Sequence, residues 1–205
     1  MKNHIINSFA LLMLTAFILR AQNLELNSDC ATNPPDFEQL SYQAANDAVN
    51  SESDLITVKK TKVICPEYIA NLVKQLRRGH LSNDNKSIAI YFLGSFRPND
   101  TDSIEILIEN IDFRASRLDP KTDLTRWGKY PAEEALIKIG KPVVAPILDY
   151  LPNETNKLRR HLMGEVLRKV EGKEAAQNQI KQKITGEQDV ARQTNLELVL
   201  KELEK

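Results

Sequence analysis

The sequence is poor in the residues that most catalytic and nucleic-acid sites use. It has two cysteines, three histidines and one tryptophan among 205 residues, and 6% of the residues are aromatic. With two cysteines the chain is not a disulfide-dense miniprotein. Few histidines argue against imidazole-based catalysis, and few aromatic residues argue against surfaces that stack nucleic-acid bases. The chain also lacks an excess of one charge, because 28 Lys and Arg balance 28 Asp and Glu. A general attraction to nucleic acid or to an acidic membrane is therefore not expected.

The amino-terminal end combines a charged start with a single apolar run that is too short to span a bilayer. Lys2 precedes the run from Phe9 to Leu19, and polar sequence follows Ala21. A helix of this length rises about 16 Å, roughly half of the hydrocarbon thickness. The pattern predicts a secretory signal peptide over residues 1–21, and hence an exported protein, periplasmic or extracellular, with no stable membrane insertion after cleavage. An uncleaved membrane anchor is the alternative.

Export would place the two cysteines in an oxidising compartment, where they are natural disulfide partners. Cys30 and Cys65 would close a loop of about 36 residues, which stabilises a fold by roughly 4 kcal/mol if the effect is chain entropy. Neither cysteine lies in a CxxC motif, and no two histidines stand at ligand spacing. No zinc site is therefore predicted. Two unpaired buried thiols are the alternative to the disulfide.

Apolar residues recur at helical spacing along most of the remaining chain. Residues 22–36 have the polar, proline-containing composition of a linker, and residues 37–85 form an N-terminal helical segment. A firm apolar stripe from Tyr68 to Leu76 predicts a helix that Pro66 would open and Gly79 would end. A weaker stripe predicts an earlier helix through Phe37, Leu40, Ala44 and Ala48.

From residue 86 onward the apolar stripes come in pairs, which predicts helical hairpins. The stripes cover residues 88–96 and 104–111, then 131–139 and 143–151, then 158–170 and 176–184, and residues 190–203 supply a last helix. Asp102, with Glu105 three residues later, is predicted to form a capping box at the second stripe. Ala132 and Ala135 are small enough to let the helices of one hairpin approach closely, and Gly140 permits a left-handed cap.

The sequence from Tyr130 to Leu148 (YPAEEALIKIGKPVVAPIL) resembles a bacterial HEAT repeat. It has an Ala-x-x-Ala-Leu start, an Ile-Gly helix end, a proline that opens the second helix and a Val/Ile/Leu stripe. The units at 86–112 and 158–184 match this pattern more loosely. The resemblance implies an all-α fold, a short α-solenoid of HEAT-like hairpins, in which residues 86–205 form the array with its C-terminal capping helix.

The resemblance also implies which surface binds a partner. The second helices of HEAT units usually line the concave side, which makes the acidic positions Glu105, Glu109 and Asp149 candidate contacts. The expected function is a non-enzymatic protein–protein interaction module or scaffold of the periplasm or extracellular space, with an unidentified protein partner and no nucleic acid. No cofactor, metal or catalytic residue is predicted, because His80 and His161 stand at helix-end or surface positions without a recognisable nucleophile elbow.

A long loop over residues 112–129 separates the first two predicted units and holds the only tryptophan. Trp127 beside Arg126 has the composition of an interface hot spot, and Arg117 lies in the same loop. Loops on a rigid scaffold often carry binding residues. These three residues are therefore candidate partner contacts. The alternative is that Trp127 folds back and covers the hydrophobic edge between two repeats.

Two other functions stay open. Some HEAT-like proteins are bilin lyases or DNA glycosylases, so the alternative is an exported helical ligand-binding protein or an enzyme of unknown reaction. A pocket that gathers several polar side chains in a helical groove would favour that alternative. The array could also be part of a larger assembly, which co-purification of one stoichiometric partner would support. Fold class does not decide among these functions.

Overall fold

The computed structural model describes residues 66–115 and 129–204, with side chains described from residue 69 onward. Within these two ranges the chain forms eight α-helices and no strand. The all-α prediction is therefore confirmed for this part of the chain. Several predictions lie outside the described residues: the signal peptide, the polar linker, the helix at 37–48, Cys30, Cys65, Arg117, Arg126 and Trp127.

The helix boundaries follow the prolines and glycines of the sequence. The helices are α1 Pro66–Arg78, α2 Asn83–Phe96, α3 Thr101–Glu109, α4 Pro131–Ile139, α5 Val144–Tyr150, α6 Lys157–Glu171, α7 Lys173–Gly186 and α8 Val190–Glu204, with short 3-10 turns at Lys141–Val143 and Leu151–Asn153. Gly79, Gly140 and Gly172 adopt positive φ directly after α1, α4 and α6. None of the eight described helices combines the length and apolar character that a bilayer crossing requires.

Contacts between the described helices include two series, which meet where α1 contacts α2, α3 contacts α4 and α5 contacts α6. In the first, α2 contacts α4, α4 contacts α6, and α6 contacts α8; in the second, α1 contacts α3 and α3 contacts α5. Helix α7 packs against both α6 and α8. The side chains buried by these contacts form one continuous core that extends from Leu72 in α1 to Leu203 in α8. Each helix thus buries its apolar side against helices nearby in the sequence.

Helix α2 is buried on nearly every side. All residues from Ser87 to Gly94 are buried, as expected of a helix enclosed by its neighbours. Its most extensive contact is with α4, where a Cβ atom on Gly94 would lie 2.6 Å from Ala135 Cα. The expectation that Ala135 brings together the two helices of one hairpin is therefore corrected. Its close partner is α2 of the preceding pair, and Gly94 supplies the space.

The start of α3 also differs from the prediction. Asp100 is the N-cap residue, and its carboxylate accepts hydrogen bonds from the backbone N–H and the hydroxyl of Ser103, both at 2.8 Å. The predicted capping box of Asp102 and Glu105 is therefore wrong. Asp102 instead forms an ion pair with Arg77 of α1 at 3.0 Å. Asp100 takes the cap because Ser103, three residues later, offers it two donors.

Candidate interaction surface

Two of the predicted contact residues lie on one side of α3, where Glu109 is exposed and Glu105 is half-buried. Glu105 and Glu109 are four residues apart, so they share a helix face. Asp102 precedes Glu105 by three residues. Helix α5 packs beside α3 and contributes Tyr150. We call this surface the acidic face and define it by Asp102, Glu105, Glu109 and Tyr150.

Tyr150 shows that these side chains lie close enough to affect one another. Burial raises the pKa of its hydroxyl above the ordinary value, and the carboxylates of Glu105 and Glu109 raise it further. Arg159 and Arg77 act in the opposite direction. Electrostatic interactions weaken with distance. Since charged groups of α1, α3 and α6 all affect the pKa of this hydroxyl, they all lie near it. Tyr150 therefore stays neutral at neutral pH and is available as a hydrogen-bond donor.

The carboxylates on this side of the molecule divide into paired and unpaired groups. Asp102 pairs with Arg77 at 3.0 Å, and Asp149 pairs with Lys183 of α7 at 2.7 Å. Glu105 and Glu109 form no ion pair or hydrogen bond through their carboxylates with other described side chains. Asp149 is thus exposed, as predicted, but its carboxylate is paired with Lys183 of α7. The carboxylates of Glu105 and Glu109 are available to a Lys or Arg side chain of another protein.

Arg159 of α6 fixes one end of the acidic face. Its guanidinium donates to Glu154 Oε2 at 2.6 Å and Asp112 Oδ1 at 3.0 Å, and to the carbonyls of Ile108 and Glu109 at 3.2 and 2.8 Å. It therefore adds donors to carbonyls in the last turn of α3, of which that of Ile108 also accepts from the backbone N–H of Ile111 at 3.2 Å. Burial alone would lower the pKa of Arg159, but its hydrogen bonds and attraction to Glu154 and Asp112 raise it.

Three residues of this region were not predicted from the sequence: Arg77, Tyr150 and Arg159. Arg77 and Arg159 act on residues of α3 that lie 25 and about 50 positions away, so no local pattern marks them. Tyr150 had a usable signal, because it directly follows the predicted Asp149 and lies three residues after the buried Ile147. An aromatic residue beside a buried stripe places its hydroxyl at the edge of the core.

A second concave region lies between α6 and α8. This groove has a volume of about 870 Å³, and its lining residues include Lys157, Leu158, His161, Glu165, Arg168 and Glu202. His161 Nδ1 lies 3.6 Å from Glu202 Oε2, and Arg168 pairs with Glu165 at 2.6 Å. His161 is exposed, as is His80, which confirms the predicted surface positions. Arg168 and Glu165 therefore offset each other's charge in the groove, and Lys157 leaves a cation at its edge.

No cluster of His, Cys, Asp and Glu side chains suited to a metal occurs within residues 66–115 and 129–204. Comparison with known proteins returns no matching family model, no matching curated protein and no matching solved structure. The resemblance to HEAT repeats therefore rests on residues 130–148 and on the paired stripes around them.

Proposed function

We propose that the chain is a non-enzymatic protein-interaction module, exported from the cytoplasm and built as a short HEAT-like α-solenoid. The two contact series, α2 with α4, α6 and α8 and α1 with α3 and α5, support the solenoid. Stacked hairpins produce such series because each repeat contacts only its neighbours. Helices α6 and α7, which are joined at Gly172, pack against each other as the two helices of a hairpin would, and this supports it as well.

The observation that carries the binding proposal is the unpaired pair Glu105 and Glu109 beside Tyr150. Both carboxylates stand on a short helix whose opposite side is buried at Ile104, Leu107 and Ile108, so the backbone that carries them is fixed before a partner arrives. Preorganised charge favours fast and selective association with a surface of opposite charge. The partner that suits this face is a protein segment rich in Lys or Arg.

The test is affinity capture from envelope and medium of the source organism, using residues 22–205. The key variant carries Glu105→Gln and Glu109→Gln, which remove both charges and keep the side-chain shape. Glu197→Gln, at an exposed position of α8, is the matched control. We expect one stoichiometric protein to be retained by the wild type and the control, and its retention to fall about tenfold with the double variant at low salt.

Unchanged retention by a double variant with native circular dichroism would contradict the acidic face as the contact. A parallel Trp127→Ala variant separates that face from the 112–129 loop, because a loop contact would be lost with this variant alone. Capture of no protein by any form would contradict the interaction module itself.

The groove between α6 and α8 favours a second candidate, a ligand-binding function. Its volume of about 870 Å³ is in the range of small-molecule sites, and Leu158 gives it an apolar wall. A thermal-shift screen of small organic ions tests this candidate. A ligand that stabilises the wild type but not a folded His161→Ala variant would support it.

A further inference from the structure

Helix α1 stands at one end of the described helices and has an apolar side that is left open. Together with the start of α3 it borders a groove of about 810 Å³. The apolar lining residues are Ile69, Ala70, Val73 and Pro98. Ala70 is exposed and Ile69 is half-buried, whereas the neighbouring Leu72 and Val73 are buried in the core. An apolar strip of this kind gains free energy when a complementary surface covers it.

The rim of this groove is basic on its α1 side. Lys74, Arg77 and Arg78 line that side and are exposed, whereas Asp100 and Asp102 line the opposite side at the start of α3. Asp102 pairs with Arg77 and Asp100 caps α3, so Lys74 and Arg78 are the cations of the rim without a side-chain partner among the described residues. The occupant should therefore combine an apolar stripe about as long as α1 with acidic residues.

The preceding part of this chain has both properties. Residues 22–58 contain seven acidic residues and no Lys or Arg, which is unusual in a chain whose charges balance overall. Within this stretch, Phe37, Leu40, Ala44 and Ala48 form one stripe at helical spacing. A helix over residues 37–48 would be about 18 Å long, and α1 is about 20 Å long.

We propose that residues 37–48 of the same chain occupy the groove between α1 and α3 as a helix antiparallel to α1. In the antiparallel direction residue 48 lies at the same end of α1 as Pro66, and the connection, residues 49–65, can extend about 56 Å, which is more than this short separation requires. In the antiparallel direction Asp36 and Glu38 stand beside Arg77 and Arg78. Helix α1 then becomes the second helix of a first pair, and its open side is covered from within the molecule.

Hydrogen exchange followed by mass spectrometry tests this docking on the full chain as isolated. We expect the amides of residues 40–48 to exchange at least about tenfold more slowly than in an unstructured peptide of the same sequence. Ala70→Glu places a carboxylate in the apolar floor and should abolish this protection. Ala191→Glu, at an exposed position in the first turn of α8, is the matched control and should leave the protection unchanged.

A charge swap makes the test specific to the proposed pairing. Arg78→Glu should reduce the protection of residues 40–48, and Glu38→Arg in the same chain should restore it. Unprotected exchange in the wild type, or equal protection in the Ala70→Glu chain, would overturn the proposal. Protection that grows with protein concentration would also overturn it, since a second copy would then fill the groove. None of these outcomes depends on Glu105, Glu109 or Tyr150.

Discussion

The region around α2 and the region around α7 are stabilised in different ways. In α2, eight consecutive residues are buried, and Gly94 lets the backbone of α4 approach closely. In α7, which is equally long, only Ala176 and Ile180 are buried. The difference follows from position, because α2 is enclosed by other helices whereas α7 and α8 end the described chain and present a polar side to water.

Hydrogen bonds between side chains and helix ends partly replace apolar contact at the C-terminal end. Lys173 Nζ and Gln177 Nε2 of α7 donate to the carbonyls of Glu204 and Leu203 at 3.0 and 3.2 Å. Each such bond contributes only about 1 kcal/mol, less than burial of one large apolar side chain. We therefore expect local unfolding of α7 and α8 to require less free energy than local unfolding of α2 and α3.

The largest expected effect comes from core truncation in the two regions. Leu107→Ala in α3 should lower the free energy of unfolding by about 2–5 kcal/mol, because Leu107 is fully buried among helices that cannot close the cavity. Leu203→Ala removes the same atoms from the last turn of α8, which can relax, and should cost less. Urea denaturation of both variants measures the difference. An equal or larger loss for Leu203→Ala would refute the comparison.

A substitution at Gly94 tests the close approach of α2 and α4. Gly94→Ala should destabilise the protein by about 1–3 kcal/mol, since the added Cβ meets the Ala135 backbone, although alanine is the better helix former. Gly186→Ala at the end of α7, where a Cβ meets nothing within 4 Å, is the matched control and should not destabilise. Thermal unfolding of the pair checks this, and a stabilised Gly94→Ala chain would show that the helices can separate at no cost.

Arg159 links helices of the two regions. It lies in α6, which packs against α7, and it donates to carbonyls at the end of α3, which follows α2. Arg159→Met keeps much of the apolar stem but loses the hydrogen bonds to Glu154, Asp112 and two carbonyls. We expect a loss of about 1.5–3 kcal/mol and faster hydrogen exchange at the end of α3. Arg192→Met, which removes a partly exposed ion pair with Glu187, should cost less. Unchanged exchange at residues 107–112 would contradict this linking role.

The smallest expected effect is a pH-dependent one in α6. The hydrogen bond from Arg168 lowers the pKa of Glu165, and burial, which acts in the opposite direction, does not cancel it. A carboxylate whose pKa is lowered by folding stabilises the folded chain fully at a pH above its ordinary pKa. It loses that contribution as the pH falls through the lowered pKa of the folded chain. Glu165→Gln should therefore reduce the melting temperature slightly at neutral pH. The difference from the wild type should vanish in acid well below pH 4.5; a constant difference would contradict the linkage.

Local patterns predicted the helices well because their ends depend on nearby residues. Pro66 and Pro131 fit first turns, and Gly140 and Gly172 permit the positive φ that ends α4 and α6. The left-handed cap expected at Gly140 is wrong, however, because its ψ of −140° lies outside the left-handed helical region. Asp102 was misassigned, because Asp100 and Asp102 both precede a polar residue at capping distance and the sequence does not rank them.

Features that depend on tertiary contacts escaped prediction. Gly94 and Ala135 meet across two pairs of helices, and Arg159 bonds to residues about 50 positions away. Of the candidate site, Glu105 and Glu109 were named in advance from a resemblance, and their proximity to Tyr150 is what the structure adds. A stripe of apolar residues indicates which side of a helix is buried, but it does not indicate which helix covers that side.

Gly140 has a consequence for the handedness of the residue at that position. Its backbone angles are φ 83° and ψ −140°, and the space where an L side chain would begin is empty. The backbone alone therefore excludes L-residues, since these angles are the mirror image of the broad β region that they favour. A D-amino acid has its own favoured region at these angles. Between α4 and α5, the chain has a position that suits the opposite chirality, and D-alanine introduced there by semisynthesis would restrict the unfolded chain without straining the turn.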